Sequence, residues 1–349
     1  MLNHRLLPAQ ILTFAYKTSW IALGLLLSCA THAAKIGTEL AWPTPNDAFL
    51  QGKPARTYLQ PTVSGRVESG AYGCTRNSGN KFHEGIDLKA VHRNAKGIAV
   101  DKIFCIADGI VTHVSAKTAD SNFGKYVVVQ HQSGGLEWCS LYAHLRSIQG
   151  NIRKGTRIKA GQVLGVMGNT SSNINIPESR AHLHLEIGFR LNSYFDRWYA
   201  KQDYKTPNLH GSWNGINFLG IDPLDFFRYH LDHPSAPISA YFLNQPPSFE
   251  ILQYHDSIPD FLNRNPGFLH GQSTSRKGNW YLVEFTWFGL PSKWSPIDSS
   301  HIDKRFQKDQ FYIRTFKHEK ACRSWIDEVN GEFEATRILK RHLEILSQK

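Results

Sequence analysis

Residues 181–189 read Ala-His-Leu-His-Leu-Glu-Ile-Gly-Phe, a stretch in which polar and apolar side chains alternate. Alternation with a period of two is typical of a half-buried β-strand, because successive side chains point to opposite faces. On such a strand His182 and His184 share one face, roughly 7 Å apart along the backbone. The stretch therefore predicts a strand that presents two imidazoles to the same space.

The residues that precede this strand also predict β-structure. Residues 103–114 and 126–131 are mostly apolar and rich in β-branched side chains, as strands are. Residues 133–135, Ser-Gly-Gly, predict a hairpin turn that returns through residues 136–144. Glycines recur between single apolar residues over 154–168, which indicates short strands joined by tight turns. This last stretch lacks the Gly-Lys-Ser/Thr ending of a phosphate-binding loop, so we do not expect one.

The 349 residues are enough for one large domain or two ordinary ones. Residues 34–60 are rich in proline and polar side chains, and we expect a lead-in segment with little structure of its own. The β pattern extends over residues 61–230, which we expect to form a mainly β domain. Hydrophobic residues make up 41% of the chain, a value typical of globular proteins rather than of disordered ones.

The remaining residues, 231–349, have a different pattern. Residues 280–287 and 311–316 alternate like strands, and residues 322–346 have the apolar spacing of a helix. Gly331 weakens the middle of that helix. The pattern predicts a small C-terminal α+β module, and no catalytic constellation within it indicates what the module does.

The N-terminus has the order of an export signal. Basic residues precede an apolar run over residues 21–27, and small residues follow. The run is too short to remain as a membrane anchor, and the order is that of a secretory signal peptide. We expect residues 1–33 to be removed by cleavage after Ala33, with an acylated lipoprotein Cys29 as the alternative. The mature protein would then lie in the periplasm or cell envelope, or be secreted.

The charge of the chain suits an anionic partner. The formal net charge is +11 and the isoelectric point is about 9.4. Such a surface attracts nucleic acid, anionic lipid or an anionic wall polymer. Because the chain has no recognised nucleic-acid-binding motif and carries an export signal, we do not expect nucleic acid as the partner. The sequence does not predict an oligomeric state.

Removal of the signal leaves an even number of cysteines, namely Cys74, Cys105, Cys139 and Cys322. In an exported protein they permit disulfides, with three possible connectivities, and buried free thiols are an equal alternative. The spacings contain no Cys-x-x-Cys pair, so the sequence does not predict a cysteine-rich zinc site.

Three histidine motifs within the β region could act together. A catalytic zinc ion needs three protein ligands and an open position for water, and His83, Asp87 and His184 would supply two imidazoles and a carboxylate. Zinc held in this way lowers the pKa of its water and polarises a carbonyl. His144 and His182, beside the metal, would handle protons or stabilise an oxyanion. Each motif alone is weak in a chain with 17 histidines, so the prediction depends on all three together.

Together these motifs resemble the M23 (lysostaphin/LytM-type) zinc metallopeptidases. The segments that carry the resemblance are 82–87, 107–111, 127–131, 141–145, 159–162, 167–170 and 181–187. The resemblance implies an antiparallel β-sheet catalytic domain of the LytM/lysostaphin type, with one zinc ion on His83, Asp87 and His184 and with His144 and His182 in catalysis. It also implies hydrolysis of amide bonds in peptidoglycan stem peptides or cross-links.

The sequence departs from the family pattern at the loop of residues 171–180, which is longer, polar and proline-bearing. The loop borders the expected groove, so the bond that is cut stays open. We expect Glu186 to support His184, and Tyr72 is a candidate for stabilising an oxyanion. The alternative function is a non-catalytic, zinc-containing protein that binds the wall or regulates an amidase. The extra histidines argue against it, because a purely structural zinc site does not need them.

Overall fold

The computed structural model describes residues 33–37, 39–271, 279–308, 310–316 and 322–349. Most of the predicted export signal, including Cys29, lies outside these residues. Within the described part of the chain, no helix is both long enough and apolar enough to cross a membrane.

Short strands dominate the chain up to residue 221. Their bounds are β1 (Lys35–Ile36), β2 (Leu40–Ala41), β3 (Gly73–Arg76), β4 (Lys81–His83), β5 (Ile86–Lys89), β6 (Lys102–Phe104), β7 (Gly109–Ser115), β8 (Tyr126–Ser133), β9 (Leu136–Ala143), β10 (Leu145–Ile148), β11 (Arg157–Ile158), β12 (Val163–Met167), β13 (His182–Arg190) and β14 (Phe218–Ile221). The main sheet has seven strands in the order β11-β7-β8-β9-β13-β14, and β5 also pairs with β13. All of these pairings are antiparallel, which confirms the predicted mainly β, antiparallel fold.

The hairpin between β8 and β9 forms where the sequence predicts it. Gly134 and Gly135 have φ angles of 54° and 74°, a left-handed conformation that glycine adopts without steric cost. The turn fixes the register so that Ser133 pairs with Leu136. The hairpin places β9 beside β13, the strand that carries the two neighbouring histidines.

The lead-in segment contains the short strands β1 and β2, and its side chains pack into the core. Trp42 is fully buried, and its ring lies 5.2 Å from that of Phe49 and 4.9 Å from that of Phe227. The Asn46 side-chain amide donates to the carbonyl oxygens of Thr57 and Lys89. The segment is therefore held against the domain by apolar packing, by side-chain hydrogen bonds and by backbone hydrogen bonds such as that from Ala41 N–H to the Ile106 carbonyl oxygen.

Five α-helices and six further strands complete the described part of the chain. The helices are α1 (Phe195–Ala200), α2 (Pro223–Asp232), α3 (Ile238–Leu243), α4 (Asp260–Arg264) and α5 (Arg337–Ser347), and the strands are β15 (Phe249–His255), β16 (Asn279–Phe285), β17 (Pro291–Ile297), β18 (Phe311–Thr315), β19 (Ile326–Val329) and β20 (Glu332–Ala335). Strands β15 to β18 form a four-stranded sheet in the order β17-β16-β15-β18. The predicted strands at 280–287 and 311–316 are confirmed as β16 and β18.

The predicted helix over residues 322–346 is wrong in its first half. Residues 326–335 form the β19–β20 hairpin, whose turn contains Asn330 and Gly331 with φ angles of 53° and 85°. An Asn-Gly pair is the strongest short-range signal for a two-residue hairpin turn, and it overrides the helical spacing of the apolar residues. The helix begins only at α5, where the Thr336 hydroxyl accepts from the backbone N–H of Leu339.

One disulfide links the two regions of the chain. Cys74, next to the predicted zinc ligands, is bonded to Cys322, which lies 248 residues later in the C-terminal module. Cys105 and Cys139 are buried free thiols, and burial raises the pKa of Cys105 to about 12. Of the four cysteines, two thus form a disulfide bridge and two are free thiols, both of which the sequence permits. A continuous apolar core also extends from the main sheet into the C-terminal module.

Candidate metal centre and adjoining groove

Strand pairing brings the predicted ligands together. His184 on β13 pairs with Asp87 on β5 across one edge, and with Ala143 at the end of β9 across the other. His83 ends β4, and a two-residue turn leads from it into β5. A side chain at Gly85 in that turn would collide with the Leu185 carbonyl oxygen, so glycine is required for the close approach.

Three side-chain atoms form a small triangle at this point. The His83 Nε2 lies 3.3 Å from Asp87 Oδ1 and 3.1 Å from His184 Nδ1, and the last two atoms are 3.0 Å apart. The exposed fractions of His83, Asp87 and His184 are 4%, 3% and 6%. A tetrahedral zinc ion with bonds of about 2.0–2.1 Å separates its ligand atoms by roughly 3.3 Å. The donor set and its spacing therefore fit a zinc ion.

Hydrogen bonds on the far side of each imidazole orient these donors. His83 Nδ1 donates to the Ala71 carbonyl oxygen over 2.8 Å, which leaves the Nε2 lone pair facing the triangle. His184 Nε2 donates to Glu186 Oε1 over 2.8 Å, which leaves Nδ1 to face the same point. Such outer partners fix the orientation of metal-binding histidines and raise their basicity. Glu186 thus lies where the sequence places a supporting carboxylate.

His144 and His182 lie beside the triangle. Their rings are 4.9 Å apart, and the His144 ring is 5.8 Å from that of His184. His144 Nδ1 donates to the Thr170 carbonyl oxygen and His182 Nδ1 to the Arg180 carbonyl oxygen, each over 2.7 Å. Because both Nδ1 atoms carry their proton, both Nε2 atoms have a free lone pair. The two ends of the long loop therefore set the tautomers of both histidines.

The charges of the metal-free site are set by burial and by close neighbours. Burial, with the nearby His182 and His184, lowers the pKa of His144 to about 3. Burial opposes ionisation of Asp87, but His83, His182 and the hydrogen bond from His184 hold its pKa well below the usual range. Burial also opposes protonation of His184, but hydrogen bonds to Asp87 and Glu186 outweigh it and raise its pKa to about 9. The site thus keeps an ionised carboxylate beside a neutral His144.

Arg76 at the end of β3 is a site residue that the sequence did not predict. One of its terminal nitrogens donates to Asp87 Oδ2 over 2.5 Å and lies 2.7 Å from His83 Nε2. In the sequence it is marked only by its position between Cys74 and His83. The pairing of β3 with β4 brings its side chain into contact with His83 and Asp87. The guanidinium contacts the same lone pair that a metal ion would use.

Tyr72 does not have the position predicted for an oxyanion donor. Its hydroxyl donates to the Gly220 carbonyl oxygen over 2.7 Å, and the side chain is buried. Burial raises its pKa well above the usual value. Because the Tyr72 hydroxyl donates its proton to Gly220, it stabilises the end of β14 and is not available as a donor to an oxyanion.

A cavity of about 770 Å³ adjoins the triangle. His184 and Glu186 line it from β13 and Phe123 from the loop before β8, and the ring of Phe123 stacks on that of His184 at 5.6 Å. Arg323 and Arg341 line it from the C-terminal module. His184 is the member of the donor triangle that lines this groove, which has a wall from each region of the chain.

Solved structures with some likeness to this chain include several peptidases. The lytM protein of Ruminococcus gnavus is 27% identical over 31% of this chain and 39% of its own, with a TM-score of 0.25. The lysostaphin catalytic domain of Staphylococcus simulans is 19% identical over 46% and 87%, with a TM-score of 0.28. A zinc-containing peptidase of Vibrio cholerae is 21% identical over 45% and 35%, with a TM-score of 0.24. This chain thus spans well under half of the first and third of these proteins.

The comparison with curated proteins found no significant match. A model of the family described as peptidase family M23 matches residues 81–196. This range contains all five histidine and aspartate residues of the candidate site, together with the strands that position them. Residues 81–196 therefore form a domain of peptidase family M23.

Proposed function

We propose that this protein is an exported zinc metalloendopeptidase that hydrolyses amide bonds in peptidoglycan stem peptides or cross-links. The observation that carries the proposal is the donor triangle of His83, Asp87 and His184, with His144 and His182 beside it. A structural zinc site is normally closed by four protein ligands, whereas the described residues supply three donors here. An open position next to two histidines favours a catalytic site.

Each of these side chains has a part in the proposed reaction. A bound zinc ion would polarise the substrate carbonyl and make water acidic enough to attack at neutral pH. His83, Asp87 and His184 would hold it, with Glu186 orienting His184. His144 and His182 each offer an Nε2 lone pair that accepts a proton, and the resulting imidazolium can donate to an oxyanion or to the leaving nitrogen. The assignment places catalysis in residues 61–230.

Export to the cell wall has independent support. The Cys74–Cys322 disulfide is of a kind that persists in oxidising compartments outside the cytoplasm. The formal charge of +11 favours association with anionic wall material. The N-terminal pattern of an export signal agrees with both. Mass analysis of the mature N-terminus distinguishes cleavage after Ala33 from a lipid anchor on Cys29.

The proposal is tested by digesting purified sacculi with the full mature chain. We expect release of muropeptides by zinc-loaded protein, and loss of both bound zinc and release in His184→Ala. His270→Ala is the matched control, because His270 is exposed and lies outside the donor group. Equal release by wild type and His184→Ala would contradict the proposal. Stoichiometric zinc with no turnover would favour the non-catalytic, wall-binding or amidase-regulating alternative.

A further inference from the structure

The groove next to the metal centre has a wall that does not belong to the M23 domain. Residues 81–196 supply His184 and Glu186, while Arg323, Trp325 and Arg341 come from the C-terminal module. A peptide that passes from the metal centre along His184 into this cavity would therefore lie against the C-terminal module. The composition of that wall should then decide which peptides fit.

This second wall is attached directly to the segment that carries His83. The Cys74–Cys322 disulfide joins β3 to the module, and the next residue, Arg323, forms an ion pair with Glu84 over 2.5 Å. The Arg323 guanidinium also lies 4.0 Å from the centre of the Phe82 ring. Because Phe82 and Glu84 flank His83, the wall keeps a fixed position relative to the metal centre.

One face of α5 forms part of this wall. Ile338, Arg341, His342 and Ile345 all line the cavity, and their spacing of three and four residues places them on the same side of the helix. Arg341 is exposed, and its guanidinium has no ion-pair or hydrogen-bond partner among the described residues. His342 is buried, and burial lowers its pKa to about 3, so Arg341 is the cation on this face.

The other charges that line the cavity are largely paired with one another. Glu84 is paired with Arg323, and Glu186 accepts from His184. Asp120, on the loop before β8, is the third carboxylate of the lining. Among the residues that the structure describes, the Arg341 guanidinium on the C-terminal wall and the Asp120 carboxylate on the M23 side have no ion-pair partner, a pattern that suits a zwitterionic peptide.

We propose that this cavity is a substrate subsite in which Arg341 binds a free carboxylate of the peptide. A guanidinium presents parallel N–H donors that match a carboxylate in a bidentate fashion. Ile338 is half-buried and supplies apolar surface beside it for the aliphatic part of the peptide. The inference deepens the proposed function, on which it rests, by assigning the C-terminal module to substrate selection.

The test measures binding and turnover separately. Soluble stem peptides prepared from sacculi are titrated into the zinc-loaded full chain, alongside the same peptides with their carboxylates converted to methylamides. We expect Arg341→Gln to weaken binding of the free acids about 10-fold or more and to leave binding of the amides unchanged. Arg341→Lys should restore part of the loss. In turnover the loss should fall on KM rather than on kcat.

Lys340 precedes Arg341 on α5 and does not line the cavity. Lys340→Gln is therefore the matched control, because it removes an equal charge from the adjacent position. Equal effects of Arg341→Gln on acids and amides would overturn the inference, as would equal effects of the two variants or the absence of any peptide binding. Carboxylate-dependent binding without turnover would instead overturn the proposed hydrolysis and leave the subsite standing. The two failures are therefore distinguishable.

Discussion

The Cys74–Cys322 disulfide should contribute strongly to stability, because it closes a loop that contains most of the described chain. The sequence separation is 248 residues. In the chain-entropy relation, closing a loop of that length removes about 18.5 cal/mol/K from the unfolded state, or about 5.5 kcal/mol at 25 °C. For a chain of this size, such a change lowers Tm by roughly 8 °C. The double variant Cys74→Ser with Cys322→Ser should show this loss.

Thermal unfolding of the full chain, followed by circular dichroism with and without a phosphine reductant, measures the effect. Reduction should lower the Tm of the wild type to that of the double variant and should leave the variant itself unchanged. The buried thiols Cys105 and Cys139 are present in both proteins and so cancel in the comparison. A double variant that unfolds within about 1 °C of the oxidised wild type would refute the reasoning, because the bridge would then not constrain the unfolded chain.

Three further predictions follow from single side chains. Arg76→Ala should bind zinc about 10-fold more tightly, because the guanidinium contacts the His83 lone pair and Asp87. Competition with a chromophoric chelator measures the zinc affinity. Weaker binding by the variant would show that Arg76 supports the ligands instead. Glu178→Gln should lower kcat/KM several-fold at unchanged zinc content, because the Glu178 carboxylate accepts hydrogen bonds from Arg146 that hold the loop of residues 171–180. Unchanged kinetics would show that the position of the loop does not depend on these hydrogen bonds. Burial lowers the pKa of His131 to about 4, so its contribution to stability is complete above pH 6.5 and is lost as the pH falls towards 4. In urea unfolding, the free energy of unfolding of the wild type should therefore fall between pH 6.5 and 4 more steeply than that of His131→Gln. The difference in slope should reach up to about 1.4 kcal/mol per pH unit. Equal slopes would contradict the lowered pKa of His131.

The sheet and the candidate donors could be predicted because their signals are local. The alternation over residues 181–189 predicts β13, and the Gly134–Gly135 turn fixes the register that sets β9 beside it. Once β13 pairs with β5 and β9, His184 necessarily lies next to Asp87 and close to His144. Short-range pattern and antiparallel pairing are enough to assemble these residues.

The features that the sequence did not predict depend on contacts between distant segments. Arg76 reaches Asp87 only through pairing of β3 with β4, and no local pattern marks it. No local pattern selects the Cys74–Cys322 bridge from the pairings that the four cysteines permit. The β19–β20 hairpin had a local signal in Asn330 and Gly331, which should have outweighed the helical spacing around it.

The central claim is that a zinc centre formed by three donors acts on wall peptides with the help of the neighbouring histidines. Muropeptide release from sacculi by wild type and by His144→Ala, compared at equal measured zinc content, tests it most directly. His144 is not one of the three donors, so the variant should keep one zinc ion per chain and lose release by about 100-fold or more. Equal release by the two proteins at full zinc content, or no release by either, would contradict the claim.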